Sequence, residues 1–505
     1  MISGMFSQAS WGGRVRAQSA IYSIVALGLA IRLIGLGWHS LWFDEALEYS
    51  RAAGSLRHAI VGRPGDLDPP LYPVLNHFWF MLGTDQAFIR LPAVLFGAGA
   101  VYLGYVWARA IFGQAIGTLT ALLLALAPVQ VHYSQELNQY SLVVFLSIAT
   151  LIAFERLQAS LRPADWALYT AVSLLDLLTY HGLAFLLLAL DLYLVYRIVK
   201  LLIAAASWRD RCRLLVVPAI SAVVALSVIL VLWMVRPDHL AKAAWPSRFN
   251  DTDLWREWEV FSNIVWHHIP AFFTLPFSHG PAFWIVRAAS LLAIGGAVYL
   301  WQRMPAGPRT LGIALAIPLA AMHVASGFGL YPFGFRYVLF LSPIYFVALA
   351  AGLWSIWRAN RWIGMATTAL LCGVFIFFSP HGAWSNPWLS PPREELGPVV
   401  AHLERHLRPD DAVYVYYGAK PVFNYYYRGP RSNVRFGSWF RSAPAESKAV
   451  ELIAAARGHP RLWLIMSHIH PGEDKQLVEI LRAESCRLED RFVTVNAAAF
   501  VFECP

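Results

Sequence analysis

The apolar residues of this chain come in long unbroken blocks, not in the alternating or every-third-residue pattern of a water-soluble fold. The blocks cover about 21–37, 87–110, 115–131, 139–156, 165–179, 182–200, 214–235, 283–302, 310–329, 337–356 and 361–379. A helix needs roughly 17–25 such residues to cross a bilayer, so each block predicts a membrane helix. Two polar interruptions are long. The first, residues 38–86, mixes acids with Trp and Tyr. Its 44–58 and 70–82 stretches predict short helices lying on the membrane, the second opened by Pro69 and Pro70, because proline suits a first helical turn. The second interruption, residues 236–282, contains LWREWEVFSNIVWHHI, with Trp255, Trp258 and Trp266 among charges. That is the pattern of an interfacial amphipathic helix, and His267 and His268 read as an ordinary interfacial pair within it.

After Pro380 the pattern changes. Residues 381–392 are rich in Pro, Trp and Ser and read as a linker. Beyond them REELGPVVAHLERHL predicts an amphipathic helix, DAVYVYY a strand, KPVFNYYYRG a helix and turn, and AESKAVELIAAARG a helix. RLWLIMS then predicts a strand, EDKQLVEILRAE a helix, and RFVTVNAAAFVFEC a closing hairpin. Strands alternating with helices imply an α/β domain over 393–505.

Composition agrees with the blocks. Of the 505 residues 58% are hydrophobic and 14% charged, with a mean hydropathy of +0.50. Soluble domains carry roughly 25% charged residues, so most of this chain must face lipid. The net charge of +9 would suggest nucleic acid if it were pooled, but much of it sits in short loops between apolar blocks. Arg14/Arg16, Arg109, Arg156/Arg162, Lys200/Arg209/Arg211/Arg213, Arg303/Arg309 and Arg358/Arg361 all fall on one side if every block is a span, eleven in all. That side is the cytoplasm. The opposite side then holds 38–86, 132–138, 180–181, 236–282, 330–336 and everything after 380. The first block lacks a small-residue cleavage site and is read as a retained anchor. The expected architecture is a polytopic α-helical protein of the inner membrane, with about eleven transmembrane helices in 1–380, a large first outer loop holding interfacial helices, and a periplasmic α/β domain. Of four cysteines, Cys486 and Cys504 lie together near the C-terminus and can pair if that end is periplasmic.

The outer face collects the residues able to do chemistry. The first loop brings Asp44 and Glu45, flanked by Trp42-Phe43 and Ala46, together with Asp66 and Asp68. The loop at 132–138 brings Tyr133 and Glu136, the next Tyr180 and His181, and the last Arg336 and Tyr337. Tyr180 or Tyr337 alone would read as an interface anchor. An acid pair directly after a membrane span reads as functional, because ionisable groups at a membrane are costly to keep. Two carboxylates and an arginine at a lipid surface suit glycosyl transfer from a lipid phosphate. A base takes the acceptor hydroxyl's proton, negative charge favours an oxocarbenium-like transition state, and a planar guanidinium holds the phosphate leaving group. Asp44 fits the base, Glu45 and Glu136 fit groups that orient the acceptor or sugar, and Arg336 fits the phosphate. A divalent metal on the carboxylates stays an open alternative, with no metal ligands assigned.

These residues also carry a resemblance. LWFDEA at 41–46, PPLYPVLNHFW at 69–79, RLPAVLFGAGAVYLGYVWARAIFG at 90–113, HYSQELNQYSL at 132–142, LLTYHG at 177–182 and RYVLFLSPIYFVALA at 336–350 recur in this order in GT-C superfamily membrane glycosyltransferases. The chain resembles the members that include protein O-mannosyltransferases and the lipid A aminoarabinose transferase, and most of all bacterial enzymes acting on lipopolysaccharide or other envelope glycans. The resemblance covers roughly 20–380 and, more weakly, the C-terminal domain. It implies a polyprenyl-phosphate sugar as donor, a glycan, lipid or protein acceptor, inversion at the anomeric carbon, and a periplasmic site. It carries the base onto Asp44 and the second-loop acid onto Glu136. Many relatives have His where this chain has Asp68, and Thr-His-Tyr where it has Thr179-Tyr180-His181. Asp68, Tyr133, His181, Arg336 and Tyr337 are the expected substrate-binding residues. The rival reading is a transporter or flippase of a lipid-linked or envelope component. Transporters often show repeated halves with broken helices and a site at mid-membrane, whereas here no repeat is visible and the polar residues gather at one face.

Overall fold

The structure is a computed structural model that describes residues 11–62, 68–205, 207–235, 282–303, 307–327, 331, 335–377, 394–438, 445–469 and 472–504. The amphipathic 236–281 segment, the 381–392 linker and Asp66 lie outside the described residues.

Helices α1 (Trp11–Leu33), α2 (Phe43–Ala52), α3 (Leu56–Val61), α4 (Leu71–Phe80), α5 (Leu91–Phe112), α6 (Gln114–Leu126), α7 (Pro128–Ser134) and α8 (Tyr140–Ser160) come first. Next are α9 (Pro163–Thr179), α10 (Leu183–Ala204), α11 (Trp208–Val235), α12 (Ala282–Arg303), α13 (Gly307–Gly327), α14 (Ser342–Ala359) and α15 (Arg361–Phe377). Every apolar block marked in the sequence coincides with one of these helices, the 115–131 block with the pair α6 and α7. Prolines sit at the starts of α5, α7, α9 and α14, where an N–H would have no partner within its own helix. Among the described residues, Phe88–Phe112, Tyr140–Ser160 and Arg336–Ala359 are long and apolar enough to cross a membrane. The pair α6 and α7, bent by 56°, adds a fourth if taken as one span, and Gln18–Leu33, Leu215–Ser227, Gly312–Ala325 and Arg361–Phe377 are shorter apolar helices. The chain is a multi-pass membrane protein.

The chain packs as two units, Met1–Ile34 with Leu56–Phe78 and Arg90–Ser390, and Gly35–Ser55 with Trp79–Ile89 and Pro391–Pro505. A boundary near 380 leaves the whole first loop with the membrane helices, but the packing gives both ends of that loop to the C-terminal unit. The reason is local. Ala46 joins the C-terminal core beside Leu396 and Val400, and Tyr49 packs edge-on against Tyr425 with ring centroids 4.7 Å apart.

The core of the membrane unit is built largely from α5, α6, α8 and α14. The C-terminal unit is an α/β layer. It contains α16 (Leu396–His406), β1 (Ala412–Val415), α17 (Lys420–Tyr426), β2 (Val434–Phe436), α18 (Ala445–Ala456), β3 (Arg461–Ser467), α19 (Glu473–Ala483), β4 (Arg487–Thr494) and β5 (Ala497–Glu503). The strand order is β2-β1-β3-β5-β4, with β1 parallel to both β2 and β3, and β5 antiparallel to both β3 and β4. β1 and β3 are buried along their whole length, as central parallel strands covered on both faces should be. β2 is too short to leave a periodicity in the sequence. Cys486 and Cys504 form a disulfide that closes the open end of the β4–β5 hairpin, where Arg487 pairs with Glu503.

Candidate functional site

Each unit holds one group of the predicted side chains. In the membrane unit the frame is a break in a helix. Pro128 has no N–H, so the carbonyl of Leu124 loses its helical partner where α6 and α7 bend by 56°. Arg32, buried in α1, fills the gap. Its Nη2 donates to Leu124 O at 3.0 Å, its Nη1 to the carbonyls of Ala125 and Gly28 at 2.9 Å each, and its Nε to Ser134 Oγ at 3.1 Å. Gln135 Nε2 donates in return to Arg32 O at 3.1 Å and Ile34 O at 2.8 Å, satisfying carbonyls at the end of α1. Gln130 Nε2 donates to Ser342 Oγ at 2.8 Å and ties α7 to the start of α14.

These ties fix the loop before α8 and set out a cluster around Arg336. Arg336 lies in the 3₁₀ turn Phe335–Leu341, with its guanidinium 5.8 Å from the ring centroids of both Tyr140 and Tyr337. Tyr140 packs against Tyr133 at 5.0 Å and Tyr180 at 6.1 Å, and Tyr337 against Tyr331 at 6.2 Å. Gln139 Nε2 donates to Asp68 Oδ1 at 2.8 Å, fastening the acid before Pro69 to this loop. His132 Nε2 stands 3.2 Å from Oε1 of the buried Glu136. Gly182 is required here, because a Cβ would collide with the Tyr180 ring and lie 2.7 Å from the Tyr331 hydroxyl. A planar guanidinium has the geometry to match a phosphate, and phenol rings suit the apolar face of a sugar.

Asp68, Tyr133, Arg336 and Tyr337 therefore come together as expected from sequence. His181 is exposed, and Tyr180 beside it is the residue that enters the cluster. Gln139, Tyr140 and Tyr331 were not singled out by the sequence reading. The first two stand in the quoted HYSQELNQYSL stretch, but nothing in a linear pattern separates a site tyrosine from an interface anchor.

Asp44 and Glu45 open α2 in the C-terminal unit. Glu45 is fully buried and turns Oε2 back to 3.4 Å from the Trp42 amide, the reciprocal half of a capping box. Asp44 is half-buried in the first turn, where the helix dipole favours a carboxylate. The segment leading in is pinned by Glu395, whose Oε1 is 2.5 Å from His39 Nδ1 and whose Oε2 accepts from Ser40 N at 3.1 Å and Ser40 Oγ at 2.8 Å. Burial pushes the Glu395 carboxyl up, but the bonds from His39 and Ser40 outweigh it and hold the group below its ordinary value. Tyr426 OH accepts from Leu41 N at 2.8 Å, and Tyr425 OH donates to Thr84 O at 2.9 Å, which pins the far end of the loop. Among the described residues no three His, Cys, Asp or Glu side chains converge as metal ligands.

The model of the family described as dolichyl-phosphate-mannose-protein mannosyltransferase matches residues 68–234. No curated protein matches the chain by sequence. Among solved structures, ArnT from Cupriavidus metallidurans in the apo state is 14% identical and superposes with a TM-score of 0.59 over 96% of this chain and 98% of that one. The same enzyme bound to undecaprenyl phosphate is 14% identical, with a TM-score of 0.54 over 95% and 97%. The apo oligosaccharyltransferase of Archaeoglobus fulgidus is 14% identical, with a TM-score of 0.52 over 91% of this chain and 70% of that one. The chain thus has the fold of these GT-C membrane glycosyltransferases, and its residues 68–234 match the model of a mannosyltransferase family of the same superfamily.

Proposed function

We propose that the protein is an inverting glycosyltransferase that moves a sugar from a polyprenyl-phosphate donor to a periplasm-facing envelope glycan, lipid or protein acceptor. The observation that carries this reading is Arg336, set between the rings of Tyr140 and Tyr337 at the end of an apolar helix. A cation packed on rings at that place matches a phosphate joined to a lipid on one side and a sugar on the other. That an ArnT of the same fold binds undecaprenyl phosphate supports the donor class.

In this reading the acceptor oxygen attacks the anomeric carbon from the face opposite the phosphate. Its proton passes to Asp44, the new C–O bond forms, and the bond from C1 to the phosphate oxygen breaks. The electron pair leaves on the polyprenyl phosphate, whose charge Arg336 meets with paired N–H bonds. Glu136, held by His132, orients sugar or acceptor hydroxyls. Glu45 keeps the turn that presents Asp44. Asp68, Tyr133 and Tyr337 line the donor sugar, with His181 at the exposed rim. In this reading eleven spans cross the inner membrane and the C-terminal domain lies in the periplasm, which the distribution of basic loops supports.

The test is transfer by purified full-length protein in detergent from labelled polyprenyl-phosphate sugars to an envelope extract. Asp44→Asn should lose transfer by about 100-fold or more while staying folded. Arg336→Lys keeps the charge but not the fork and should weaken donor use by about tenfold. Unchanged transfer in Asp44→Asn would remove the base and sink the mechanism.

A further inference from the structure

The sheet of the C-terminal unit has a switch point. The chain leaves β1 for β2 on one side and crosses to β3 on the other, so the carboxyl ends of β1 and β3 flank a crevice. Open α/β sheets place their ligands there. Here Tyr416, Tyr417 and Gly418 follow β1, and His468 follows β3. Gly418 allows the close approach, since a Cβ would lie 2.9 Å from the carbonyls of both Ser467 and His468. His468 holds φ of +51°, a left-handed backbone that residues other than glycine rarely keep without a reason.

The crevice is filled by the chain's own catalytic loop. The Phe43 ring stacks on the His468 imidazole, with centroids 4.3 Å apart and planes 12° from parallel. Glu394 reaches both partners, with Oε1 2.6 Å from His468 Nδ1 and Oε2 accepting the Phe43 amide at 3.2 Å. Glu394 thus supplies from another segment the anion that the start of α2 attracts. Asp44, the next residue, is close enough to act on the charge of His468.

We propose that Glu394 and His468 are positioning residues that clamp the first turn of α2 in the switch-point crevice and so set the placement of the Asp44 carboxylate. The proposal rests on the glycosyl-transfer reading for its kinetic consequence, not for its geometry. The hydrogen bond to Glu394 holds His468 above the ordinary histidine value against the effect of burial, and Asp44 acts in the same direction. Among the described residues the other ionisable groups at these strand ends include Tyr416 and Tyr417, both bonded to the Glu473 carboxylate at the start of α19. A raised histidine contributes fully at low pH and its contribution is lost as pH rises through the raised value. The clamp therefore loosens on the alkaline side.

Two measurements on the full chain in detergent test this. Hydrogen exchange of the 42–46 amides, corrected for intrinsic rates and followed from about pH 6 to about pH 9, should show an alkaline loss of protection in wild type. His468→Gln should be unprotected across the range, and Glu394→Gln should move the loss to lower pH. In parallel, kcat for transfer from labelled polyprenyl-phosphate sugars should fall about tenfold to a hundredfold in His468→Gln, with donor KM unchanged. The alkaline limb of its pH profile should disappear. Protection and pH profiles identical to wild type in folded His468→Gln and Glu394→Gln would overturn the clamp. Altered exchange with no transfer from any donor by wild type would retain the clamp and reject the transferase reading. If His468→Gln does not fold, the shift in Glu394→Gln decides the matter.

Discussion

Arg32→Met gives the sharpest test of how the membrane unit frames its site. The side chain is 1% exposed and donates to Leu124 O, Ala125 O, Gly28 O and Ser134 Oγ. Not all four acceptors suffer equally from its loss. Gly28 O keeps the amide four residues on in α1, and Ser134 Oγ still donates to Gln130 O and accepts from Ser141 Oγ at 3.2 Å. Leu124 O has no alternative, because the residue four ahead is Pro128. Ala125 O accepts from Arg32 Nη1 at 2.9 Å beside the 56° bend. Two orphaned carbonyls at about 1–3 kcal/mol each come to about 2–6 kcal/mol, and relief from burying a guanidinium pulls the net toward the lower end. The apparent melting temperature in detergent, followed by tryptophan fluorescence, should fall by roughly 5 °C or more. Pro128→Ala restores the N–H that Leu124 O lacks, so Arg32→Met should cost about 1–3 kcal/mol less in that background. Strict additivity of the two substitutions, or a melting point for Arg32→Met equal to wild type, would refute the reasoning.

Other perturbations follow from the same contacts. Gly182→Ala puts a Cβ against Tyr180 and Tyr331 and should cost about 1–3 kcal/mol of stability and blunt donor binding, read by melting with and without undecaprenyl phosphate. Reduction of the Cys486–Cys504 bridge, which closes a sequence separation of 18, should shift gel mobility and destabilise the C-terminal unit by about 3 kcal/mol, seen in melts with and without reductant. Glu395 is held below its ordinary value, so its contribution is present above the unfolded carboxyl value and is lost as pH falls through the lower folded one. Wild type should accordingly lose protection of the 39–41 amides on acidification, and Glu395→Gln should lack that step in hydrogen exchange.

The linear pattern carried most of the architecture. Apolar blocks become helices here because a chain in lipid must satisfy its backbone within each segment, so length and hydropathy suffice to locate them. The alternation after residue 393 likewise revealed the α/β unit, and RLWLIMS maps onto β3 residue for residue. Val434–Phe436 stayed hidden because three residues carry no period, and its pairing with β1 is non-local. Asp44, Glu136 and Arg336 stand out in the sequence as candidates because charge at a membrane surface is costly and therefore conspicuous.

Tertiary structure decided what those residues do for one another. Sequence spacing does not say that Tyr180 and not His181 turns into the Arg336 cluster, since a single backbone turn before Gly182 settles it. Nor does Arg32, buried inside an apolar helix, announce that its partners are carbonyls freed by a proline 96 residues later. The placement of Asp44 depends on Phe43, Glu394 and His468, which lie far apart in the chain and meet only because a helix from the first loop seats against the C-terminal sheet. Hydropathy and local propensity are properties of neighbours in sequence. Hydrogen-bond satisfaction and the setting of a charge are properties of neighbours in space, and only the folded chain supplies those.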